Sequence, residues 1–232
     1  MFHILIPARK NSKGIKNKNI VKLKDKELIY YTIQTAKKVK LASEIIVSTD
    51  SKKIANISKK YGASVPFLRP KKFSGDNSPD IDVFKHYISW LRNKKKKIPD
   101  YIIHLRATTP FRSHKVINKA IDLIKSDKSI SSLRSMRQSI FTPFKMWTIK
   151  NKFCVPLMKN KIEKHSLSRQ SLQKTYDHIS YVDILYIKKT ILKNSMTGKK
   201  VYPFILDDDK LKYFVDIDDK NDLNSALKFL KK

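Results

Sequence analysis

Residues 2–19 read Phe-His-Ile-Leu-Ile-Pro-Ala-Arg-Lys-Asn-Ser-Lys-Gly-Ile-Lys-Asn-Lys-Asn. An apolar run stops at Pro7 and opens into a loop crowded with cations and amides. The run Phe2–Ile6 has the length of a strand, and similar short runs follow at Glu44–Ser48, Ser64–Leu68, Tyr101–Leu105, Ser129–Ser135, His178–Tyr186, Val201–Leu206 and Lys212–Asp216. Between them, apolar residues three and four apart predict helices over Leu28–Val39, Lys52–Tyr61, Ile81–Asn93, His114–Ser126 and Asp219–Leu230. Start signals stand at Ser51, at Ser113 and at Asp218 before the last helix. Strand and helix alternate, which predicts an α/β fold: a Rossmann-like three-layer sandwich with a mostly parallel sheet and right-handed crossovers. Ligands of such a fold gather at the carboxyl ends of the strands, where the loop from Pro7 to Asn19 emerges.

The alternation weakens between Met136 and Lys174, which holds Pro143, Trp147 and Pro156 but no clear helical period. The chain therefore reads as a single domain over residues 1–232 with an inserted arm over 136–174. Phe141, Phe144, Met146, Trp147 and Phe153 have no periodic element in the arm to bury them, so a dimer contact is the expected use.

Lys and Arg number 51 against 20 Asp and Glu, a formal net charge of +31. Hydrophobic residues make up 41%, too many for a disordered polyelectrolyte. The apolar segment after Met1 is too short for a signal-peptide core, and no stretch is long enough to span a bilayer, so a cytoplasmic location is expected. A single cysteine, Cys154, excludes an internal disulfide framework. The lysines are spread along the whole chain, as at Lys37-Lys38, Lys52-Lys53 and Lys94 to Lys97. That distribution and the lack of a recognition motif argue against a nucleic-acid partner, and solvated helix faces account for most of the charge.

The loop after the first strand can offer backbone N–H groups and several cations to a polyphosphate. It lacks the Gly-Lys-Ser/Thr ending of a Walker loop, and glycines only at 14, 62, 75 and 198 permit no dinucleotide fingerprint. The six histidines have no metal-ligand spacing; His104, leading into the segment around Arg106, is the one placed near a candidate site.

Ile6-Pro7-Ala8-Arg9, Asn11-Ser12-Lys13-Gly14-Ile15 and Lys18-Asn19 resemble the signature loop of the cytidylyltransferases that activate acylneuraminates and other nonulosonic acids. The likeness continues in order through Ile46 to Asp50, Leu68-Arg69-Pro70 with Asp76, Leu105 to Arg112, Ser168-Arg169-Gln170 and Val215-Asp216-Ile217-Asp218. The resemblance implies that CTP and an acidic nine-carbon sugar combine to give a CMP-sugar and pyrophosphate, with Mg²⁺ as cofactor. It implies nucleotide contacts from Ala8, Arg9, Ser12, Gly14, Lys18, Asn19, Arg69 and Asp76, and sugar contacts from Arg106, Lys145, Arg169, Gln170 and Asp183. Arg9, Lys18 and Asp216 would carry the chemistry, and Asp216 with Asp218 the metal. The arm of a homodimer would reach the neighbour's sugar site.

Two departures loosen the sugar assignment. Arg106 stands where sialic acid enzymes usually have a glutamine, and Asp183 where they have a tyrosine. Legionaminate, pseudaminate or an amino-sugar phosphate all stay open as acceptors. Another nucleotide also stays open, as does a basic nucleic-acid-binding protein on the same scaffold. Such a module needs no metal-holding acids, whereas seven of the 20 acidic residues lie between Asp207 and Asp222, which favours the enzyme.

Overall fold

The structure, a computed structural model, describes residues 1–12, 14–76, 78–158 and 163–230. Among the described residues, ten strands occur in the order β1 (Phe2–Pro7), β2 (Lys22–Leu23), β3 (Lys26–Glu27), β4 (Ala42–Ser48), β5 (Tyr101–His104), β6 (Ser132–Gln138), β7 (Trp147–Lys150), β8 (Phe153–Pro156), β9 (Tyr176–Tyr186) and β10 (Val201–Ile205). Six of them form the central sheet in the order β10-β6-β9-β5-β1-β4. β1 runs parallel to β4 and β5, and β10 parallel to β6; β9 alone is antiparallel, to β5 and β6. The expected mostly parallel sheet is present.

Ile4, Leu5 and Ile6 of β1 are fully buried because both faces of the sheet are covered, which explains an unbroken apolar run rather than an alternating one. On one face lie α1 (Leu28–Lys37), α2 (Lys52–Lys60) and α4 (His114–Ser126), packed on Ile4, Ile6, Ile103 and Ile184. On the other lies α3 (Asp80–Asn93), whose Phe84, Tyr87 and Leu91 meet Leu5, Ile102 and Leu185. Two further helices, α5 (Asp208–Leu211) and α6 (Lys220–Phe229), close the carboxyl-terminal part. Ser51 caps α2 as expected, its hydroxyl accepting from the Ile54 N–H at 3.3 Å.

Three expectations need correction. Ser64–Leu68 forms only two isolated bridges, Ile46 to Ser64 and Thr49 to Leu68, rather than a strand. Lys212–Asp216 is not a strand: Asp207 caps the short α5, and Tyr213 and Phe214 then pack on Phe229 and Tyr181 instead of entering a ladder. The cap of the last helix is Asp219, not Asp218. Asp219 accepts from the Asp222 N–H and Asp222 accepts from the Asp219 N–H, a reciprocal capping box.

The segment from Met136 to Lys174 leaves the sheet at the end of β6, forms the β7–β8 hairpin and short single-turn helices, and returns at β9. Ile140, Phe141, Trp147, Ile149 and Phe153 are exposed there, and Cys154 lies on β8.

His3 sits inside the core with Nδ1 2.7 Å from the Tyr87 hydroxyl, and burial lowers its pKa from 6.5 to about 4. Between those values the unfolded chain binds a proton that the folded one refuses, so stability falls as pH drops from 6.5 towards 4. His3→Asn, which can still accept from Tyr87, should flatten that part of the stability profile by roughly 2–3 kcal/mol in urea unfolding followed across pH. Parallel profiles in the two proteins would refute it.

Candidate active site

A cavity of about 710 Å³ opens at the carboxyl ends of β1 and β5. The loop after β1 builds its first wall. Ala8 is buried beneath it, its N–H donating to the Ser48 carbonyl at 2.9 Å and so extending the parallel ladder by one residue. Asn19 is buried too, and its Nδ2 donates to the Arg9 carbonyl at 2.9 Å, folding the loop back on its own start. With the loop fixed at both ends, Arg9, Ser12, Gly14, Lys18 and Asn19 all face the cavity.

Arg9 Nη1 reaches the Gly75 carbonyl at 2.9 Å and Asp76 at 3.1 Å, which ties the loop to the segment before α3. Arg69 enters from below. Its guanidinium is buried, Nε donates to Ser74 Oγ at 3.0 Å, and Nη1 is left without a hydrogen-bond partner. Burial pulls its pKa below the ordinary arginine value, with Asp50 opposing.

The loop after β5 supplies Arg106 and Thr108. Arg112 braces this loop from behind: Nη2 donates to the Arg106 carbonyl at 2.7 Å and the Ser180 carbonyl at 3.0 Å, and Nη1 to Thr32 Oγ1 at 3.1 Å. Burial brings its pKa down to about 9, with Asp216 opposing.

The segment Val215 to Asp218 forms the remaining wall. The Ile217 side chain is fully buried, and its N–H donates to the Thr108 carbonyl at 2.9 Å. That turns Asp216 and Asp218 towards the cavity on either side of it. Asp216 accepts from Thr109 Oγ1 at 3.3 Å and from the Ser180 hydroxyl, and Asp218 accepts from Lys18 Nζ at 2.6 Å. The two carboxylates therefore share a cavity through a wedged coil, not through the alternation of a strand.

Of the expected residues, the cavity gathers Arg9, Ser12, Gly14, Lys18, Asn19, Arg69, Asp76, Arg106, Asp216 and Asp218. Asp183 is buried behind Arg106 rather than at the cavity surface. Arg169 and Gln170 line a separate hollow of about 460 Å³ at the base of the arm, where Arg169 Nη1 donates to the Ile140 carbonyl at 3.4 Å. Lys145 ends a single helical turn over Pro143–Lys145 and borders neither space among the described residues. Thr108, Ser180, His104 and Asp80 also line the main cavity; Thr108 stands in the family-like stretch Leu105 to Arg112 and His104 two residues before Arg106, whereas Ser180 and Asp80 received no role from the sequence.

A family profile described as Cytidylyltransferase matches residues 3–204. The chain belongs to the cytidylyltransferase family. It is 34% identical over 206 residues to the post-translational flagellin modification protein B of Campylobacter coli, covering 88% of this chain and 85% of that one. It is 32% identical over 203 residues to the CMP-N,N'-diacetyllegionaminic acid synthase of Campylobacter jejuni, with the same coverage of 88% and 85%. Among solved structures, a CMP:2-keto-3-deoxy-manno-octonic acid synthetase complexed with CTP superposes with a TM-score of 0.69 at 12% identity, over 99% of this chain and 98% of that one. This last likeness is one of fold.

In this cytidylyltransferase the close approach of loop and carboxyl-terminal segment needs a glycine at 14: a Cβ there would stand 2.1 Å from the Asp218 carbonyl oxygen. Gly14→Ala should push the two walls apart while leaving the core intact, lowering kcat/KM by about tenfold or more, because small misplacements of positioning groups are costly. Unchanged kinetics with an unchanged melting temperature would show that the contact does not shape the site.

Proposed function

We propose that this enzyme transfers the CMP group of CTP to an acidic, nonulosonic sugar and releases pyrophosphate. The observation that carries the reading is the convergence of Arg9, Lys18, Arg69, Asp216 and Asp218 on one cavity, at the carboxyl edge of a cytidylyltransferase sheet. The name of the C. jejuni relative, a CMP-N,N'-diacetyllegionaminic acid synthase, supports the acceptor class.

In this reading Arg9, Ser12, the Gly14 backbone and Lys18 hold the triphosphate, and Asn19, Arg69 and the Asp76 region hold the nucleoside. The acceptor's anomeric hydroxyl attacks the α-phosphorus in line and pyrophosphate leaves. Positioning and charge stabilisation of the phosphoryl oxygens supply most of the catalysis. Asp216 and Asp218 offer hard carboxylate oxygens, and among the described residues no cluster of three metal-ligating side chains exists. That donor set fits Mg²⁺, which takes one or two carboxylates and completes its shell with water and substrate phosphates. When bound, the ion neutralises charge on the phosphates.

Lys145, Arg169 and Gln170 stand on the arm beside its exposed apolar residues, which supports a homodimer in which each arm serves the partner's acceptor site. A reaction that consumes CTP belongs in the cytoplasm, where nucleoside triphosphates are made.

The test is pyrophosphate release with Mg²⁺ across CTP, UTP, ATP and GTP, each against N,N'-diacetyllegionaminic acid, pseudaminic acid, N-acetylneuraminic acid and a hexosamine phosphate. Release with CTP and an acidic nine-carbon sugar is expected; a preference for another nucleotide or for the sugar phosphate would overturn the reading. Light scattering at assay concentration should show a dimer, and Arg169→Lys should raise the acceptor's KM with little change for CTP, since an ammonium loses the bidentate fork. A fully active monomer would contradict the role given to the arm.

A further inference from the structure

A row of ionisable side chains crosses three neighbouring strands beside the cavity. Asp183 on β9 stands directly opposite His104 on β5 and opposite Arg134 on β6. Asp183 is 2% exposed, an expensive place for a carboxylate unless it is paired. Its Oδ2 lies 3.3 Å from Arg106 Nη1, and its Oδ1 lies 2.8 Å from His178 Nε2.

The direction of these bonds follows from chemistry. A carboxylate can only accept, so His178 Nε2 carries the hydrogen given to Asp183, while Arg134 Nη1 lies against the same ring, 3.3 Å from Nδ1 and 3.4 Å from Nε2. His178 and Arg106 thus both donate to one buried anion, and Arg134 lies behind the His178 ring. Burial alone would raise the Asp183 pKa, but the bond from His178 and the charge of Arg106 outweigh it and hold it below the usual carboxylate range. His104 does not join the set: its Nδ1 is 3.9 Å from Asp183 Oδ2 and has no hydrogen-bond partner, and burial, with Arg106 nearby, keeps its ring neutral, pushing its pKa down to about 3.

Arg106 carries this network into the cavity. Its Nη2 lies 3.8 Å from Asp80 as well, so two carboxylates flank one guanidinium. Asp183 holds Arg106 at Nη1, and the two flanking carboxylates offset its positive charge. A balanced guanidinium keeps spare N–H donors but attracts an anion weakly.

We propose that Asp183 is a positioning residue, which fixes Arg106 as a hydrogen-bond donor to an uncharged oxygen of the acceptor sugar, a hydroxyl or an amide carbonyl, and leaves the acceptor's carboxylate to another cation. The assignment rests on the acidic-sugar acceptor proposed above. It makes Arg106 a reader of the acceptor's ring substituents and Asp183 the residue that aims it.

The experiment is steady-state kinetics with CTP and N,N'-diacetyllegionaminic acid on Asp183→Asn, Arg106→Ala, Arg106→Gln and the double variant Asp183→Asn/Arg106→Gln. Asp183→Asn and Arg106→Ala should raise the acceptor's KM by about tenfold or more while that of CTP stays within about twofold. Arg106→Gln keeps a neutral donor and should cost less than Arg106→Ala. The double variant should resemble Arg106→Gln alone, because neither charge is then left buried without its partner. It also keeps the test open if Asp183→Asn does not fold. Equal losses in Arg106→Gln and Arg106→Ala would show that Arg106 reads the anion and would overturn the proposal. So would fully additive losses in the double variant, or an equal rise in the KM of CTP. Failure to turn over any acidic sugar would instead overturn the acceptor class itself.

Discussion

One backbone hydrogen bond, from the Ile217 N–H to the Thr108 carbonyl at 2.9 Å, holds the two halves of the site together. It pins the segment Asp216–Asp218 against the loop after β5, while Gly14 of the loop after β1 lies against the Asp218 carbonyl from the other side. The Ile217 side chain locks the arrangement in a small separate core with Leu23, Leu28 and Ala226, a burial worth about 1.5–3 kcal/mol. Because this segment is wedged, the cations of one loop and the carboxylates of another line a single cavity. The Lys18–Asp218 pair adds little stability, since Asp218 is mostly exposed. It marks where opposite charges wait for an anionic substrate.

The first loop was legible because its determinants are local: an apolar strand, a proline, then cations and a glycine. The helix over His114–Ser126 was legible for the same reason, with apolar residues buried at Val116, Ile117, Ala120, Ile121 and Ile124. Lys212–Asp216 misled because its apolar run Tyr213-Phe214-Val215 is used against Tyr181 and Phe229, a tertiary choice that a short apolar run alone does not reveal. Asp218 and Asp219 are equally good caps by type; Lys18, 200 residues away in sequence, engages the first while the second caps. The Asp183 network was invisible for a related reason. Arg134 on β6 and Asp183 on β9 meet only through the register of those strands, and Arg106 reaches them from the loop after β5.

The net charge of +31 takes on a different meaning beside the cavity. Arg9 is paired with Asp76, Lys18 with Asp218, and Arg106 with Asp183 and Asp80, so few of the site's cations stand uncompensated. The many surface lysines provide a diffuse positive field that raises the local concentration of any polyanion, including a nucleoside triphosphate, in a salt-dependent way. In the proposed reading, affinity comes from exchanging internal carboxylate partners for phosphate, and selectivity from which pairs can open. Arg106, clamped by a buried aspartate, is the pair least free to do so.

The shared cavity is tested most directly by electron paramagnetic resonance of Mn²⁺ used in place of Mg²⁺, titrated with and without CTP. The wild-type protein should bind the ion tightly only when CTP is present, and Asp216→Asn/Asp218→Asn should lose that CTP-dependent binding while keeping its fold. Undiminished, CTP-dependent Mn²⁺ binding in the double variant would contradict the placement of the triphosphate against these two carboxylates.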